Sequence, residues 1–405
     1  MAGPMQGIRI VDATSMIAGP MATMILGDQG ADVIKVENPR GGDHSRQVAG
    51  RRAGWSASFL QNNRSKRSVA LDLKRQDGLE ALRAILGTAD VFVQNWRPGV
   101  ADRLGLSEEA VRALRPDIVY VSIAGFGFEG AWADRPVYDP LIQALSGLAS
   151  VQGQGRGRPG LVRTIVPDKV TAIQASQAIT AALFARARTG RGDHVRLSML
   201  DTVVAFLFAS DFTGQTFIGD ETADEVWDEE SAAQDYVELI YETADGFMAA
   251  SAHTDATWAG LSRAVGRPDW LEDERFASVE AREVNKAARL ALTQDALAAD
   301  TTANWMDRLR AEDVPCAPVL KRGEVIDHPQ IEANGTILRM DHPGAGPIRV
   351  ARPPARFDAH ATEPSAPPRA LGADTRAVLA QAGLSENAIA ALVASGAAAE
   401  EESDT

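Results

Sequence analysis

The sequence predicts an α/β protein, with a large domain on a mostly parallel sheet covered by helices and a smaller α+β domain after it. Three observations carry this. The first two hundred residues alternate short apolar, β-branched runs with helical patterns, the signature of strands joined by crossover helices. At 405 residues and 45% hydrophobic, the chain has enough apolar material for two cores. Near residue 216 the character changes to an acidic stretch followed by new strand and helix patterns. The expected division is a large domain over 1–215, a small domain over 216–329 and a segment over 330–405 that returns to the large domain.

The elements follow in order. IRIVDA (8–13) reads as a strand. GPMATMILGDQG (19–30) reads as a helix, with Pro20 in its first turn and Gly30 past its end. DVIKVE (32–37) is a second strand, closed by the turn-rich NPRGGD (38–43). SVALDL (68–73), QDGLEALRAILGTA (76–89) and DVFVQN (90–95) form a strand–helix–strand unit, and 107–127 repeats the pattern with Ser107 as helix cap. Crossovers are expected to be right-handed. After Pro167 comes an Ala-rich helix of about twenty residues. GQGRGRPG (153–160) lacks a strand before it and a helix after it, and reads as a loop, not a phosphate cradle.

In the second half, ELIYET and FMAASA look like strands, and 255–265, 283–299 and 301–312 look helical by apolar spacing. VPCAPVL (314–320) and the Pro-rich 352–372 read as extended connections. A last helical segment precedes the acidic tail EEESDT, which is expected to be disordered.

Composition excludes several classes of function. No apolar run approaches the roughly 18 residues of a membrane span, and MAGPMQGIRIVDA lacks the pattern of an export signal. One cysteine, Cys316, builds neither a disulfide nor a metal cluster, and a reduced cytoplasmic setting fits it. The six histidines are not spaced as zinc ligands. There is no G-x-S-x-G elbow and no G-x-G-x-x-G after the first strand. The net charge of −14 argues against nucleic-acid binding. It is uneven: residues 1–215 hold 25 Lys/Arg against 20 Asp/Glu, and residues 216–405 hold 16 against 35. A basic first half in an acidic protein suits an anionic ligand, and chance clustering of solvated charge explains it equally well.

Four places could carry chemistry. Asp168 in VPDKVTA opens a helix, where free N–H groups can hold developing negative charge; the same address suits an ordinary cap. Tyr138 and Asp139 form a second polar cluster, or simply a helix entry before Pro140. Arg64, Lys66, Arg67 and Lys74 surround a strand and could meet phosphates, or form a solvated loop. Asn95, Trp96 and Arg97 end a strand, where a ring, an amide and a cation suit a nucleotide; Trp96 as plain core is the alternative.

Eight segments, in order, resemble the family III coenzyme A transferases. They are AGPMATMILGDQGADVIKVENPRGGD (18–43), NRSKRSVALDLK (63–74), NWRPGVADRLGL (95–106), YDPLIQALSGL (138–148), PDKVTA (167–172), TGRGDHVRLSMLD (189–201), VPCAPV (314–319) and LGADT (371–375). Single pieces are weak; the ordered set is specific and spans nearly the whole chain. The resemblance implies a Rossmann-like large domain, an intertwined homodimer, and a coenzyme A thioester as substrate with no separate cofactor. It implies acyl-CoA and small carboxylic acids as partners, with neither nucleic acid nor membrane. By position, Asp168 matches the catalytic aspartate, Tyr138 and Asp139 fall beside it, and Ala18, Leu71, Lys74, Asn95, Trp96, Arg103 and Met199 fall where members contact CoA.

There are departures from the family pattern. Ser15 and Ile17 stand where a His and a Gln line the CoA site, Asn38 replaces a frequent Arg, and 219–238 has no run of glycines. Formate or oxalate specificity is therefore not carried over. The expected activity is transfer of CoA from an acyl-CoA to a carboxylic acid through an aspartyl–acyl anhydride. Racemisation, found in similar enzymes, needs two acid/base groups at the α-carbon. Those enzymes look to have a His where Tyr138 stands, and a phenol with pKa near 10 is a poor substitute. A non-catalytic acyl-CoA binder is the third alternative.

Overall fold

A computed structural model of the chain describes residues 3–48, 50–153, 158–212, 215–216, 218 and 239–401. The expectations for 219–238, for the end of the tail and for the middle of the Gly-rich stretch, 154–157, lie outside the described residues. The chain divides into two compact units, Met1–Ala233 with Gly335–Thr405, and Gln234–Asn334.

In the larger unit the chain runs β1 (Arg9–Ala13), α1 (Ala18–Asp28) and β2 (Asp32–Glu37), then a short hairpin, β3 (Arg51–Arg52) and β4 (Trp55–Ser56). It continues through α2 (Ala57–Asn62), β5 (Lys66–Leu71), α3 (Gln76–Leu86), β6 (Val91–Gln94), α4 (Val100–Arg103), α5 (Glu108–Leu114) and β7 (Val119–Ala124). Next come α6 (Asp139–Leu145), α7 (Leu148–Gly153), α8 (Val166–Thr189), β8 (His194–Ser198) and α9 (Met199–Phe208). The main sheet has the order β14-β5-β2-β1-β6-β7-β8, where β14 (Ala398–Ala399) is an antiparallel edge and the other six strands are parallel. Counted along the chain, the parallel strands lie 3-2-1-4-5-6, the doubly wound order.

Alternation along each strand divides the core between two faces. Val11, Ile34, Val69 and Phe92 pack with α3 through Leu79, Leu82 and Ile85. Ile10, Val33, Val91, Val119 and Val121 pack on the other face against Ala22 and Leu26 of α1 and Ala172, Ala175 and Ile179 of α8. Both faces are buried, which is why these strands read as continuous apolar runs. The alanines of α8 let α1 lie close against it, and that packing fixes the start of each helix relative to the other.

The smaller unit has a three-stranded antiparallel sheet of β9 (Ile240–Glu242), β10 (Phe247–Ala250) and β11 (Cys316–Pro318). The sequence expectation of an extended connection at VPCAPVL is thus corrected to an edge strand, where proline is tolerated. The expected helix over 283–299 is two helices, Val279–Val284 and Lys286–Leu297. The core stacks Trp258 on Trp270 at 5.5 Å and adds Phe276 and Trp305. A second hairpin, β12 (Ile337–His342) and β13 (Gly346–Ala351), belongs to the larger unit. Among the described residues no helix is long and apolar enough to cross a membrane.

Candidate active site

From β1 the sheet is built outward one way through β2 and β5, then the other way through β6, β7 and β8. Loops leaving β1 and β6 therefore diverge at their C-terminal ends, and an open α/β sheet binds ligands at such a point. Asn95 ties the two loops together: its Oδ1 accepts the Ser15 N–H at 3.0 Å and its Nδ2 donates to Ser15 O at 2.9 Å. Gln94 supports the next residue from below, its Oε1 accepting the Trp96 N–H at 2.8 Å while its Nε2 donates to Ser122 Oγ.

Beside this tie lies a cleft of about 350 Å³ lined by Ser15, Asn38, Leu71, Lys74 and Trp96, among others. The volume suits part of a nucleotide-sized ligand. Leu71 supplies an apolar wall from the end of β5, the exposed Lys74 a mobile cation, and Trp96 a ring set edge-on to Phe92 at 6.1 Å. Arg103 is exposed at the end of α4, whose first residue Val100 also lines the cleft. Met199 is buried at the head of α9 against Ile142 of α6 and is absent from the cleft lining.

Under the cleft is a buried network of charges that sequence reasoning missed. Asp12, fully buried at the end of β1, accepts from Lys66 Nζ at 2.9 Å, Thr23 Oγ1 at 2.7 Å, Thr14 N at 2.9 Å and the Thr14 hydroxyl. Lys35 Nζ reaches Asp43 at 2.9 Å and Thr14 O at 3.0 Å. Burial opposes the Asp12 charge, but Lys66, Lys35 and the Thr14 hydroxyl outweigh it and hold the carboxyl well below the carboxylate range. Burial also lowers the Lys66 ammonium to about 8, against the pull of Asp12. The network fixes the β1–α1 loop, where Met16 has φ +69° and donates its N–H to Asp43 Oδ1 at 3.1 Å.

The basic run is therefore corrected. Arg64 is buried in a pair with Asp28, Lys66 with Asp12, and Arg67 pairs with Asp32; of the four cations, Lys74 alone lines the cleft. The partners lie on α1, β1 and β2, and their nearness comes from the tertiary fold.

Three residues beyond Ser15 the loop enters α1, whose first residue is Ala18. The Ala18 N–H faces the Asp168 carboxylate closely enough to favour its charged form. The residue before α1, Ile17, has no capping side chain, so the first-turn amides of Ala18 and Gly19 remain free of helix partners. Gly19 cannot carry a side chain, because a Cβ would lie 2.3 Å from Thr14 Cβ. Asp168 does not cap its own helix, since Ile165 opens α8 without a side-chain bond. That role falls to Asp139, whose Oδ2 accepts the Asp168 N–H at 3.4 Å. Asp139 is buried and steadied by Gln143 Nε2 at 2.6 Å, and Gln143 Oε1 in turn accepts the Val162 N–H at 2.9 Å. Tyr138, the residue before α6, is 69% exposed.

Burial, with Asp139 as second cause, raises the Asp168 carboxyl to about 6. Burial raises Asp139 as well, against the Gln143 bond. A carboxylate so situated is more basic than in water, and it faces free amides at a helix N-terminus. That combination suits attack on a carbonyl followed by stabilisation of an oxyanion.

Residues 5–375 match the family described as CoA-transferase family III. The chain belongs to this family. It is 32% identical over 398 residues to the succinyl-CoA:glutarate CoA-transferase of Mus musculus, covering 97% of this chain and 90% of the mouse protein. It is 30% identical to the formyl-CoA:oxalate CoA-transferase of Streptomyces avermitilis, covering 88% and 90%. The crystal structure of an aspartate-to-alanine variant of Rv3272 from Mycobacterium tuberculosis superposes with a TM-score of 0.80 at 30% identity, covering 93% of this chain and 98% of that one. The protein is thus a CoA-transferase of family III.

The residues missed in the sequence, Asp12, Thr14, Thr23 and Asp43, support the loop between cleft and Asp168. One signal was available: an aspartate closing an otherwise apolar central strand demands a buried partner.

Proposed function

We propose that the protein moves CoA from an acyl-CoA to a carboxylic acid, with Asp168 as nucleophile. The single observation that carries this is the Asp168 carboxyl, raised to about 6, against the free amides at the head of α1, whose loop also lines the cleft. The cleft would take the nucleotide end of CoA through Leu71, Lys74 and Trp96, with Asn95 holding the loops and Arg103 on the flank. Ser15 to Ala18 spans at most about 10 Å of chain, short enough for bound CoA to run from cleft to carboxylate.

The Asp168 oxygen attacks the thioester carbonyl, forming an aspartyl–acyl anhydride and releasing CoA thiolate. The thiolate attacks the Asp168 carbonyl carbon, giving an aspartyl–CoA thioester and the free donor acid. The acceptor carboxylate attacks that thioester, forming a second anhydride, and the thiolate then takes the acceptor acyl group and restores Asp168. A carboxylate is a weak nucleophile, so alignment and the Ala18 and Gly19 amides supply most of the acceleration. Asp139 positions Asp168 and keeps it basic; Tyr138, exposed beside it, is left to touch substrate. Met199 shapes the wall behind α6. The same reading places the protein in a reducing cytoplasm as an intertwined homodimer.

Hydroxylamine added during turnover of pooled succinyl-, glutaryl-, formyl- and long-chain acyl-CoA donors tests this reading. Peptide mapping should find the hydroxamate on Asp168. Modification at another residue, or no enzyme-bound acyl group in a turning-over sample, rejects it.

A further inference from the structure

On the larger unit, two hairpins meet to form a second basin of about 520 Å³. Arg51 and Arg52 come from β3, and Arg339 and Arg349 come from β12 and β13, where they sit directly opposite each other in the ladder. Like charges placed so repel. None of the four arginines forms an ion pair among the described residues, whereas ten other arginines of this unit are paired to carboxylates.

The basin is built, not incidental. Arg52 donates to Pro347 O, joining the two hairpins, and Gln61 Nε2 of α2 donates to Arg349 O at 2.7 Å, tying β13 to that helix. The Trp55 ring lies edge-on to the buried His342 at 4.1 Å, and the β12–β13 turn runs so close that a Cβ on Gly344 would meet the Trp55 indole at 2.4 Å. The Arg339 and Arg349 guanidiniums have no side-chain partner among the described residues, and Arg51 and Arg52, which also donate to Gly54 O and Pro347 O, line the same concavity, so the set matches an anion with several oxygens.

We propose that this basin binds a small multivalent anion carrying at least two carboxylate or phosphoryl groups. The inference stands apart from the transfer reaction and does not use Asp168 or the CoA cleft. A bound polyanion neutralises the Arg339–Arg349 repulsion and cross-links the hairpins, so it stabilises the folded chain.

The test is calorimetric titration and thermal melting of the full chain at fixed ionic strength, with citrate, pyrophosphate and, as a monovalent control, acetate. Citrate or pyrophosphate should bind saturably and raise the melting temperature, with acetate doing neither. Tighter citrate assigns a polycarboxylate; tighter pyrophosphate assigns a phosphorylated ligand. R339Q/R349Q should weaken binding by about tenfold or more while melting no lower than the parent without anion. R349K, which keeps the charge and loses the fork, should also weaken it and guards against a double variant that fails to fold. K74Q, which alters the CoA cleft, should leave citrate affinity unchanged. Equal affinity in R349K and the parent, equal effects of acetate, or loss of binding in K74Q would each overturn the proposal.

Discussion

Asp12 and Asp168 are both carboxylates drawn out of water at the same end of one sheet, and burial pushes both toward the neutral form. They end up opposite. Asp12 has two ammonium groups and three hydroxyl or amide donors around it, and its charge is locked in. Asp168 has the Ala18 amide and, as its nearest charge, another carboxylate, and its carboxyl rises to about 6. The difference lies in the partners, since the residue type is the same and both are shielded. A compensated buried charge holds a structure in place, whereas an under-compensated one is left with reactivity.

The largest effect that would break the comparison is on catalysis. Asp168→Ala should lower transfer on the order of 10⁴-fold while thermal melting and CoA binding stay near the parent's. A loss of only a few-fold would return Asp168 to the role of a helix-end residue. Next is stability: Lys66→Met strands the Asp12 charge and should cost about 3–5 kcal/mol in urea unfolding. Asp12→Leu with Lys66→Met should recover much of that loss, because removing both charges also removes the desolvation cost.

The third test reverses the sign. The Asp168 carboxyl is raised above its unfolded value of 3.8, so ionising it costs folding stability as pH climbs from about 4 through about 6, and the cost is constant above that. Asp168→Asn should therefore stabilise the protein at pH 7.5, by about 1–2 kcal/mol once partial solvent access is discounted, and should lose the advantage below pH 4. The same raised carboxyl sets an acid limb in kcat/KM, with activity falling as pH drops through about 6. The smallest effect sharpens the comparison: Asp139→Asn removes the neighbouring charge and should move that limb to lower pH. A limb that does not move would show that burial alone sets it.

Much of this was legible in the sequence because local patterns govern it. Alternating strands and helices gave the parallel sheet, Ser107 caps α5 as expected, and Pro20 and Gly30 bracket α1. The hairpins β3–β4 and β12–β13 and the edge strand β14 were not legible. Two-residue strands carry no period, and 337–351 is stabilised by α2 and the first hairpin, some 290 residues away. Asp168 and Asp139 were visible as helix-opening residues, but that one caps the helix of the other was not. The basic run 64–74 misled for a related reason: Arg64, Lys66 and Arg67 meet acids on α1, β1 and β2, which the fold brings up from 35 to 54 residues away.

The borrowed cap on α8 makes α6 the reference for the reacting carboxylate. Gln143 holds the Val162 amide and Asp139 holds the Asp168 amide, both from one short helix. A change that tilted α6 would therefore re-aim Asp168 without touching it.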